Sequence, residues 1–510
     1  MKLDRDSPIP VAHQLLALIR EQIERGELRP GDRLPTEMEL CARLSISRTP
    51  VRRALGRLTA QGLLVRSPGR GTYVSATAAS AHRRTPVELT ITVPDERWCW
   101  PLQRAAAMVN ADHPEQPVRL RFEIVGFTLL RSNLALAVAH GAASDVSLVD
   151  AAWVAEFADR GYVQALDAID ADLVAGLAAD LLPPLRAENS LRGQLHALPA
   201  DASLALLWYR KDWFAAEDLA PPRTWEEWTA CARHFQRAAV RDRHGLGPYP
   251  LAFAGGRAAG ETTTFQLLPV LWAGGGDVIA DHEVVLNEPA AHRAVAFVSD
   301  LVRAHRLAAP GVVDAPWNGP ALAFAAGSVA MAIGGSYEGA LIRAASGWDE
   351  TAFGERVGLV PIPAGPGGSP ASLVGGLSYA IYRQSRQPLL ALRLVARATS
   401  AEVVGEFYAQ TGQNQPTVSA TRHLAAERGT FLHATAELIE HARARWPFVE
   451  YARVSHQLGR MFESAIVGEL APDEAVARAA AVISGITGFP ERSPARPTWL
   501  TTRRPLERSR

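Results

Sequence analysis

The stretch from Leu34 to Val74 limits the possible folds of this chain more than any other part of the sequence. Thr36 and Glu39 form the T-x-x-E pattern of a capping box, in which each residue satisfies the other's end of a new helix. A second helix start follows at Ser47, a good N-cap residue, with Pro50 in the first turn, where its missing N–H does no harm. These signals predict two short helices joined by a turn.

The second predicted helix has an apolar face and a basic face. Its apolar stripe recurs at i, i+3, i+4 and i+7 and consists of Val51, Ala54, Leu55 and Leu58. The residues that point the other way, beyond Arg48 at the helix tip, are Thr49, Arg52, Arg53 and Gly56. Gly62 stands where a C′ glycine would end the helix, and the residues after it predict a β-hairpin over Leu63–Val74. A basic face on the second of two short helices suits a reader of the DNA major groove.

Four motifs in this region resemble the winged helix-turn-helix domain of GntR-family bacterial transcription regulators. They occur in order at Gly31–Glu37, Ser47–Arg52, Leu58–Leu64 and Gly69–Val74. The resemblance implies that residues such as Arg48 meet bases or phosphates and that the turn at Gly69 enters the minor groove. The candidate DNA-binding residues are Thr36, Glu37, Ser47, Arg48, Thr49, Pro50, Arg52, Arg53, Arg66, Gly69 and Arg70.

Two arginines are the base-reading candidates of this set, and one family contact is missing. Arg48 and Arg52 are favoured because arginine can hold guanine through two hydrogen bonds. Arg53, Arg66 and Arg70 would add phosphate or minor-groove contacts. The family usually has a phosphate-contacting arginine where this chain has Met38.

The basic residues are concentrated at the two ends of the chain. Residues 1–75 carry 13 Lys/Arg against 8 Asp/Glu, residues 491–510 carry 6 against 2, and residues 76–490 carry 34 against 43. The net charge of zero therefore hides a basic head on an acidic body, and polyanion binding is expected at the front only. Residues 76–86 lack any apolar period and are predicted to be a linker, and the Pro- and Arg-rich tail 491–510 is predicted to be disordered.

The segment 87–490 predicts an α/β fold of two lobes. Alternating apolar residues predict strands over 87–93 and 118–124, with a helix between them at about 100–112. A helix at 128–140, a strand at 146–149 and a helix from Ala151 continue the alternation, which places ligand sites at strand C-terminal ends. Helices are predicted near the end of the segment at about 401–410, 427–445, 451–468 and 472–485. About 400 residues are more than one compact lobe usually holds.

Several motifs in this segment resemble the extracellular solute-binding proteins of carbohydrate ABC transporters (family 1). They occur in order at Ser144–Trp153, Gly193–Pro199 with Leu207–Phe214, Pro221–Trp228, Ala332–Tyr337 and Gly375–Ile381. The resemblance implies a periplasmic-binding-protein-like fold, a cleft between two lobes and a carbohydrate ligand, and it does not imply transport. The chain as a whole is therefore expected to be multidomain, with a small α+β head followed by a two-lobed α/β sensor.

Candidate ligand-binding residues are polar or aromatic side chains near the predicted strand ends and motifs. Sugars need aromatic faces against their C–H surfaces and polar groups around their hydroxyls. The candidates are Glu96, Trp98, Trp100, Asp150, Trp153, Asp201, Asp277, Trp317, Ser336, Tyr337, Glu338, Gly375, Gly376, Gln413, Asn414 and Gln415. Trp225 and Trp228 flank a capping-box pattern and are interpreted as helix packing.

No motif indicates an enzyme, a cofactor or a metal site. A pyridoxal-phosphate domain needs a Schiff-base lysine, and the chain has only Lys2 and Lys211. The run from Gly334 to Glu338 misses the G-x-S-x-G elbow at its last position, no phosphate-binding loop occurs, and the 14 histidines form no H-x-x-x-H pair. Two alternatives to sugar sensing stay open: a non-sugar solute such as a peptide or polyamine, and, more remotely, a glycoside-processing enzyme.

The expected partners are operator DNA, a small-molecule effector and a second copy of the chain. One helix-turn-helix head reads only a half-site, so a homodimer on a palindromic operator is expected. Three widely spaced cysteines predict neither a disulfide framework nor a metal cluster, which fits a reducing interior. No signal sequence or membrane-spanning run is recognised, so the sequence predicts a cytoplasmic protein without a membrane partner.

Overall fold

The computed structural model describes eight stretches of the chain, which form two compact units. The described residues are 11–24, 27–44, 46–67, 71–75, 86–114, 116–411, 413–426 and 431–492. One unit consists of Met1–Glu88 and Ala106–Arg119, and the other of Leu89–Ala105 and Leu120–Arg510. Most of the predicted linker and tail, and the predicted wing tip with Gly69 and Arg70, lie outside the described residues.

Residues 11–75 of the first unit, here called the head, contain the predicted helix-turn-helix and hairpin. Its elements are α1 (Val11–Glu24), α2 (Glu37–Leu44), α3 (Arg48–Ala60), β1 (Leu64–Ser67) and β2 (Gly71–Val74). The two strands pair antiparallel, from Leu64 opposite Val74 to Ser67 opposite Gly71.

Local sequence signals explain where the head helices begin and end. The capping box is confirmed, because the Thr36 N–H donates to Glu39 Oε2 at 2.8 Å and the Glu39 N–H donates to Thr36 Oγ1 at 3.2 Å. Ser47 is the extended residue before α3, as predicted, but its side chain makes no capping hydrogen bond among the described residues. Gly62 has φ +71°, the left-handed conformation that suits glycine after a helix end.

The apolar stripe of α3 anchors the core of the head. Its four members are 0–1% exposed and pack with apolar residues of α1, α2 and the hairpin. Burying each such side chain contributes roughly 1.5–3 kcal/mol, so this packing fixes which face of α3 points outward. The core consists of Leu15, Ile19, Ile23, Leu34, Leu40, Leu44, Val51, Ala54, Leu55, Leu58, Leu63, Leu64 and Val74.

The rest of the described chain, residues 86–492, contains the second unit and alternates strands and helices, as the sequence predicted. The helices that follow the head are α4 (Cys99–Asp112), α5 (Phe127–Ala139), α6 (Val154–Asp159), α7 (Ala171–Ala179), α8 (Pro183–Glu188), α9 (Lys211–Ala216), α10 (Trp225–Gln236), α11 (Ala238–His244), α12 (Glu261–Ala273), α13 (Pro289–Val302), α14 (Gly319–Ala325), α15 (Gly339–Ser346), α16 (Glu350–Arg356), α17 (Pro388–Ala398), α18 (Ala401–Thr411), α19 (Val418–Ala426), α20 (Phe431–Ile439), α21 (Tyr451–Val467) and α22 (Pro472–Thr487).

The strands of this unit include the long ones of two sheets and several short pairs. They are β3 (Val87–Val93), β4 (Val118–Ile124), β5 (Val146–Asp150), β6 (Ser190–Leu191), β7 (Gln194–Leu195), β8 (Ala197–Pro199), β9 (Ser203–Arg210), β10 (Leu251–Ala252), β11 (Ile279–Ala280), β12 (Glu283–Val284), β13 (Met331–Gly335), β14 (Val357–Val360), β15 (Val374–Gly375) and β16 (Leu377–Ile381).

Two sheets define two lobes within the second unit. Lobe one is built on the sheet of order β4-β3-β5-β16-β8, in which β3 and β5 are parallel and β16 is antiparallel to β5. Lobe two is built on the sheet of order β10-β13-β9-β14, with β15 also paired to β9. The chain passes between the sheets from β8 to β9 and again from β15 to β16. These two crossings make a hinge.

Strand β9 shows how the sequence holds lobe two together. Leu204, Leu206 and Trp208 face one core, whereas Ala205 and Leu207 face the other, and all five side chains are 0% exposed. Alternate strand residues point to opposite faces of a sheet, so a continuous apolar run marks a strand that is buried on both sides.

The structure corrects two predictions near the carboxyl end. The helix expected over 427–445 ends at Ile439 in the described part of the chain, and the residues after it run beside β15, where the Val374 N–H donates to the Arg443 carbonyl at 2.9 Å. The tail predicted to be disordered from residue 491 begins with two placed residues, because Arg492 pairs with Glu283 at 2.7 Å.

We predict that Gly376→Ala lowers the midpoint of thermal unfolding. Gly376 has φ +151°, and an added Cβ would lie 2.6 Å from both the carbonyl oxygen and Oδ1 of Asp201. A side chain in this conformation costs on the order of 1–3 kcal/mol. Gly405→Ala is the control, because Gly405 lies on α18 with open space around it, and alanine favours helix there. An equal midpoint for both variants in differential scanning fluorimetry would contradict the strain argument.

Candidate functional site

The head presents a basic, solvent-exposed surface at the start of α3. Ser47, Arg48, Thr49, Arg52 and Arg53 are all exposed. The packing of the apolar stripe leaves these side chains on the opposite side of the helix, where they can reach a partner. Pro50 lies in the first turn of α3, half-buried.

A single carboxylate joins α3 to the hairpin. Glu37 Oε2 lies 3.1 Å from Arg52 Nε, and Glu37 Oε1 lies 3.4 Å from Arg66 Nη2. Both arginines are substantially exposed, and such pairs are worth about 0–1 kcal/mol. Glu37 therefore positions the two guanidinium groups without holding them strongly. Nearby Met38 is 66% exposed, so the missing arginine is replaced by an apolar surface residue.

A cavity of about 330 Å³ lies between lobe one and lobe two. Its floor is the hinge, and its walls include the ends of β3, β4 and β5 from lobe one and the start of α12 from lobe two. The lining residues are Pro94, Asp95, Arg97, Trp98, Gly126, Phe127, Thr128, Asp150, Asp201, Ser203, Glu261, Thr262, Phe265, Trp317, Tyr337, Gly376, Leu377, Gln413 and Arg445. Ligand pockets commonly measure 300–1,000 Å³, so this cavity suits a small molecule.

Aromatic side chains form much of the cavity wall. On the lobe-two side, Tyr337 contacts Phe265 and Trp317 at ring-centroid distances of 5.9 and 6.3 Å. On the lobe-one side, Phe127 stacks on Trp153 at 5.5 Å and 23°. Each ring is held by a second ring behind or beside it, so the apolar walls are preorganised.

Arg445 connects the lobes through an ion cluster at the cavity. Its guanidinium lies 2.8 Å from Asp150 Oδ1, 2.7 Å from Glu188 Oε1 and 3.1 Å from Glu261 Oε1. Asp150 ends β5 of lobe one, and Glu261 begins α12 of lobe two. The Tyr451 hydroxyl adds a hydrogen bond to Glu261 at 2.6 Å. Three carboxylates thus share one guanidinium, which leaves a local excess of negative charge.

Burial shifts the acidity of this cluster. Burial raises the pKa of Glu188 to about 7, an effect that Arg445 opposes. Burial also raises the pKa of Glu261, again against the attraction of Arg445. Burial alone would lower the pKa of Arg445, but Asp150 and Glu188 raise it above its ordinary value. The guanidinium therefore stays charged, and near neutral pH the cluster can gain or lose a proton on Glu188.

Asp201 fastens the two hinge crossings to one another. Its carboxylate accepts hydrogen bonds from the Leu377 N–H at 2.7 Å, from Ser203 Oγ at 2.6 Å and from Gln413 Nε2 at 3.2 Å. Leu377 lies just after one crossing and Ser203 just after the other. Burial raises the pKa of Asp201 to about 6, although these donors lower it.

The cavity contains part of the set of residues predicted from the sequence. Those that line it are Trp98, Asp150, Asp201, Trp317, Tyr337, Gly376 and Gln413. Those that do not are Glu96, Trp100, Trp153, Asp277, Ser336, Glu338, Gly375, Asn414 and Gln415.

Several excluded candidates are engaged in the structure of the lobes instead. Ser336 Oγ accepts a hydrogen bond from the Leu204 N–H at 3.0 Å, and Glu338 accepts one from the Gly335 N–H at 2.9 Å, so both are buried helix-start groups. Asp277 pairs with Arg443 at 2.6 Å. Asn414 Oδ1 accepts a hydrogen bond from Thr435 at 2.9 Å.

The remaining excluded candidates lie behind or beside the cavity. Trp153 supports Phe127 from the core of lobe one, and Trp100 stacks on Phe407 at 6.2 Å. Gly375 lies beneath the guanidinium of Arg445, since an added Cβ would lie 2.6 Å from Nη2. Glu96 is exposed and Gln415 is half-buried, each outside the cavity lining.

The sequence reasoning missed most of the charged and several of the aromatic lining residues. Phe127 follows β4 directly, so the rule of choosing residues after strand ends would have found it. Glu261 and Phe265 lie on a helix and Arg445 lies in an irregular segment, and no local pattern distinguishes them from packing or surface residues.

Family models match two parts of the chain. The model described as "Bacterial regulatory proteins, gntR family" matches residues 11–74, and the model described as "Bacterial extracellular solute-binding protein" matches residues 102–405. The second match covers more than half of the chain.

Individual relatives match one part each. The HTH-type transcriptional repressor NagR of Bacillus subtilis is 45% identical over 75 residues, which are 15% of this chain and 31% of the repressor. A probable ABC transporter-binding protein of Deinococcus radiodurans is 26% identical over 278 residues, which are 54% of this chain and 62% of that protein. The chain thus spans less than two thirds of either relative.

A solved structure shares the fold of the larger part. Maltose-bound MalE3 of T. maritima superposes with a TM-score of 0.67 at 23% identity, covering 78% of this chain and 99% of that one. Within the described residues, no helix has the length and apolar character needed to cross a membrane, and no group of three or more His, Cys, Asp and Glu side chains is arranged to hold a metal ion.

We predict that Glu338→Gln flattens the pH dependence of thermal stability. Burial raises the pKa of Glu338 to about 8, so the folded protein prefers its neutral form. That preference stabilises the fold fully below the ordinary pKa of glutamate and is lost as pH rises through about 8. The wild-type unfolding midpoint should therefore fall between pH 6 and 9, and less steeply in the neutral, isosteric variant. Parallel pH profiles would show that Glu338 is already ionised in the fold.

Proposed function

Because this chain belongs to the bacterial extracellular solute-binding protein family and carries a gntR-family regulatory domain, we propose that it is a sugar-responsive transcriptional regulator. Its head would bind operator DNA, and the cavity between its lobes would bind the effector. The genes it controls would serve carbohydrate uptake or catabolism.

One observation carries this proposal: a cavity with aromatic walls and buried polar groups lies at the hinge between two lobes, in the same chain as an arginine-bearing helix-turn-helix. Aromatic faces and clustered hydrogen-bonding groups are what a sugar ring requires. The structural relative with maltose bound has the same fold, which supports a carbohydrate as the ligand class.

Ligand binding would be read out through lobe movement. Two-lobed binding proteins close around a ligand by hinge motion. Operator binding by a dimer depends on the arrangement of its two heads, so closure would change DNA affinity through that arrangement. The ligand can bias DNA binding only by the difference in its affinity for the two arrangements. A regulator that binds operator DNA would act in the cytoplasm.

The proposal does not include an enzymatic role. The matching family models describe regulatory proteins and solute-binding proteins. Asp150 and Glu261 pair with Arg445, and Asp201 accepts a hydrogen bond from the Leu377 N–H. Carboxylates that are engaged in this way favour binding over general acid–base chemistry.

We predict that Arg48→Ala weakens binding to the protein's own promoter by about 10- to 100-fold. Arg48 is exposed at the tip of α3, and loss of a base-contacting arginine costs roughly 1–3 kcal/mol. Arg20→Ala is the matched control, because Arg20 lies on α1 and hydrogen-bonds Gln61. Electrophoretic mobility shift with promoter and scrambled DNA measures both. Sequence-blind binding by the wild type that Arg48→Ala leaves unchanged would overturn the regulator proposal.

We predict that Trp317→Ala weakens sugar binding by at least tenfold, whereas Trp100→Ala does not. Trp317 is part of the cavity wall, and Trp100 is a tryptophan of similar exposure that packs on Phe407 outside it.

The test begins with a thermal-shift screen of sugars, amino acids and polyamines, since a ligand at 100 times its Kd stabilises the fold by about 2.7 kcal/mol. Calorimetry with the best sugar then compares the variants. Stabilisation by another class and by no sugar would overturn the carbohydrate assignment.

A further inference from the structure

The polar groups of the cavity are unevenly divided between hydrogen-bond acceptors and donors. Its charged lining consists of four carboxylates and two guanidinium groups, a formal excess of two negative charges. Asp95 and Arg97 are neutralised as a pair, with Arg97 Nη2 2.9 Å from Asp95 Oδ2. The excess therefore falls on the buried part of the lining, where Asp150, Asp201 and Glu261 outnumber the one guanidinium of Arg445.

Most donors in this buried part are already used within the protein. Arg445 Nε and Nη1 donate to Glu188 and Glu261, whereas Nη2 lies 2.8 Å from Asp150 Oδ1 as an ion pair without a hydrogen bond among the described residues. The Ser203 hydroxyl and the Gln413 amide N–H both donate to Asp201. The cavity therefore offers a ligand mostly acceptor atoms at this end.

One of those acceptors lacks a partner. Gln413 Oε1 is buried, on a residue that is 4% exposed, and makes no hydrogen bond among the described residues. A buried polar atom without a partner is destabilising, so a ligand that donates to it removes that cost. Gln413 lines the cavity, and its amide N–H points at Asp201.

We propose that the effector carries a protonated amino group, which binds at the buried acidic end of the cavity formed by Asp150, Asp201, Glu261 and Gln413. An ammonium group brings N–H donors and one positive charge to a place that lacks both. The aromatic walls support the same chemistry, because ring faces attract cations and cover apolar C–H surface. An amino sugar and a linear polyamine share this group. The inference rests on the proposed function only in taking this cavity as the effector site.

The test uses isothermal titration calorimetry on the full chain with ligands that differ at one group. The sugar arm compares D-glucosamine with D-glucose and N-acetyl-D-glucosamine, and the dimer of glucosamine with cellobiose and diacetylchitobiose. The linear arm compares spermidine and putrescine with 1,4-butanediol, the neutral counterpart of putrescine. In at least one arm, the amine should bind at least tenfold tighter than its neutral counterparts.

Each outcome of the series decides between distinct claims. A preferred amino sugar supports both this inference and the proposed function. A preferred polyamine with no sugar binding supports the inference and overturns the carbohydrate assignment. A neutral sugar that binds as tightly as its amine overturns the inference and leaves the proposed function standing. Absence of binding by every amine in both arms also overturns the inference.

The pH dependence of binding provides an independent readout. The groups that face the buried end are Asp150, Glu188, Asp201, Glu261, Tyr337, Arg445 and Tyr451, with the pair Asp95 and Arg97 in the lining nearby. Burial raises the pKa of Asp201 to about 6 and that of Glu188 to about 7. These carboxyls ionise between pH 5.5 and 7.5, so the affinity for the amine should rise over this range with release of protons. A neutral sugar should show no such rise, and an amine affinity that falls over this range would contradict the proposal.

Two variants test whether the preference for the amine depends on the acidic end of the cavity. Glu261→Gln keeps the shape and hydrogen-bonding capacity of the side chain but removes its charge, and Gln413→Met removes the free acceptor. Each should weaken amine binding at least tenfold and reduce the preference over the neutral counterpart. Glu474→Gln, on the exposed first turn of α22, removes one negative charge elsewhere and should leave the preference unchanged. An unchanged preference in folded Glu261→Gln and Gln413→Met would place the amine elsewhere.

Discussion

The ion cluster around Arg445 is the constraint on which the larger unit depends. Four distant parts of the chain meet there: the end of β5, the end of α8, the start of α12 and the irregular segment between α20 and α21. Removing charges from water costs several kcal/mol per ion, and breaking a buried pair by deleting one partner typically costs 3–5 kcal/mol. The guanidinium therefore limits how far the two lobes can rearrange while their carboxylates stay buried.

The residues that hold the two hinge crossings together also line the cavity. Asp201 ties the two chain crossings together, and Gly376 allows the backbone to approach it closely. Because Asp150, Asp201 and Glu261 also line the cavity, a ligand bound there would lie beside groups that hold the lobes in register. Ligand binding and the arrangement of the lobes would then depend on one another.

Sequence patterns predicted most of the helices and strands, but only some of the residues that line the cavity. Capping boxes, apolar periodicity and family motifs located the head helices and the main strands, because these signals are local. The helix predicted over 427–445 failed because backbone pairing with β15 replaced helical hydrogen bonds after Ile439. Asp150 and Tyr337, which do line the cavity, were predicted because they lie at or just after strand ends within recognisable motifs. Arg445 and Glu261 were missed because their role comes only from contacts over 184 positions of sequence.

Glu37 has a consequence for how the head would respond to salt. A DNA-binding protein releases roughly 0.9 counterions for each phosphate that its cations neutralise, which sets the slope of affinity against salt concentration. Arg52 and Arg66 share the carboxylate of Glu37, so a negative charge stays beside them when a phosphate approaches. The release of counterions then falls short of the number of arginines at the surface. Such a head would give up some electrostatic attraction to DNA, and its DNA affinity would be less sensitive to ionic strength.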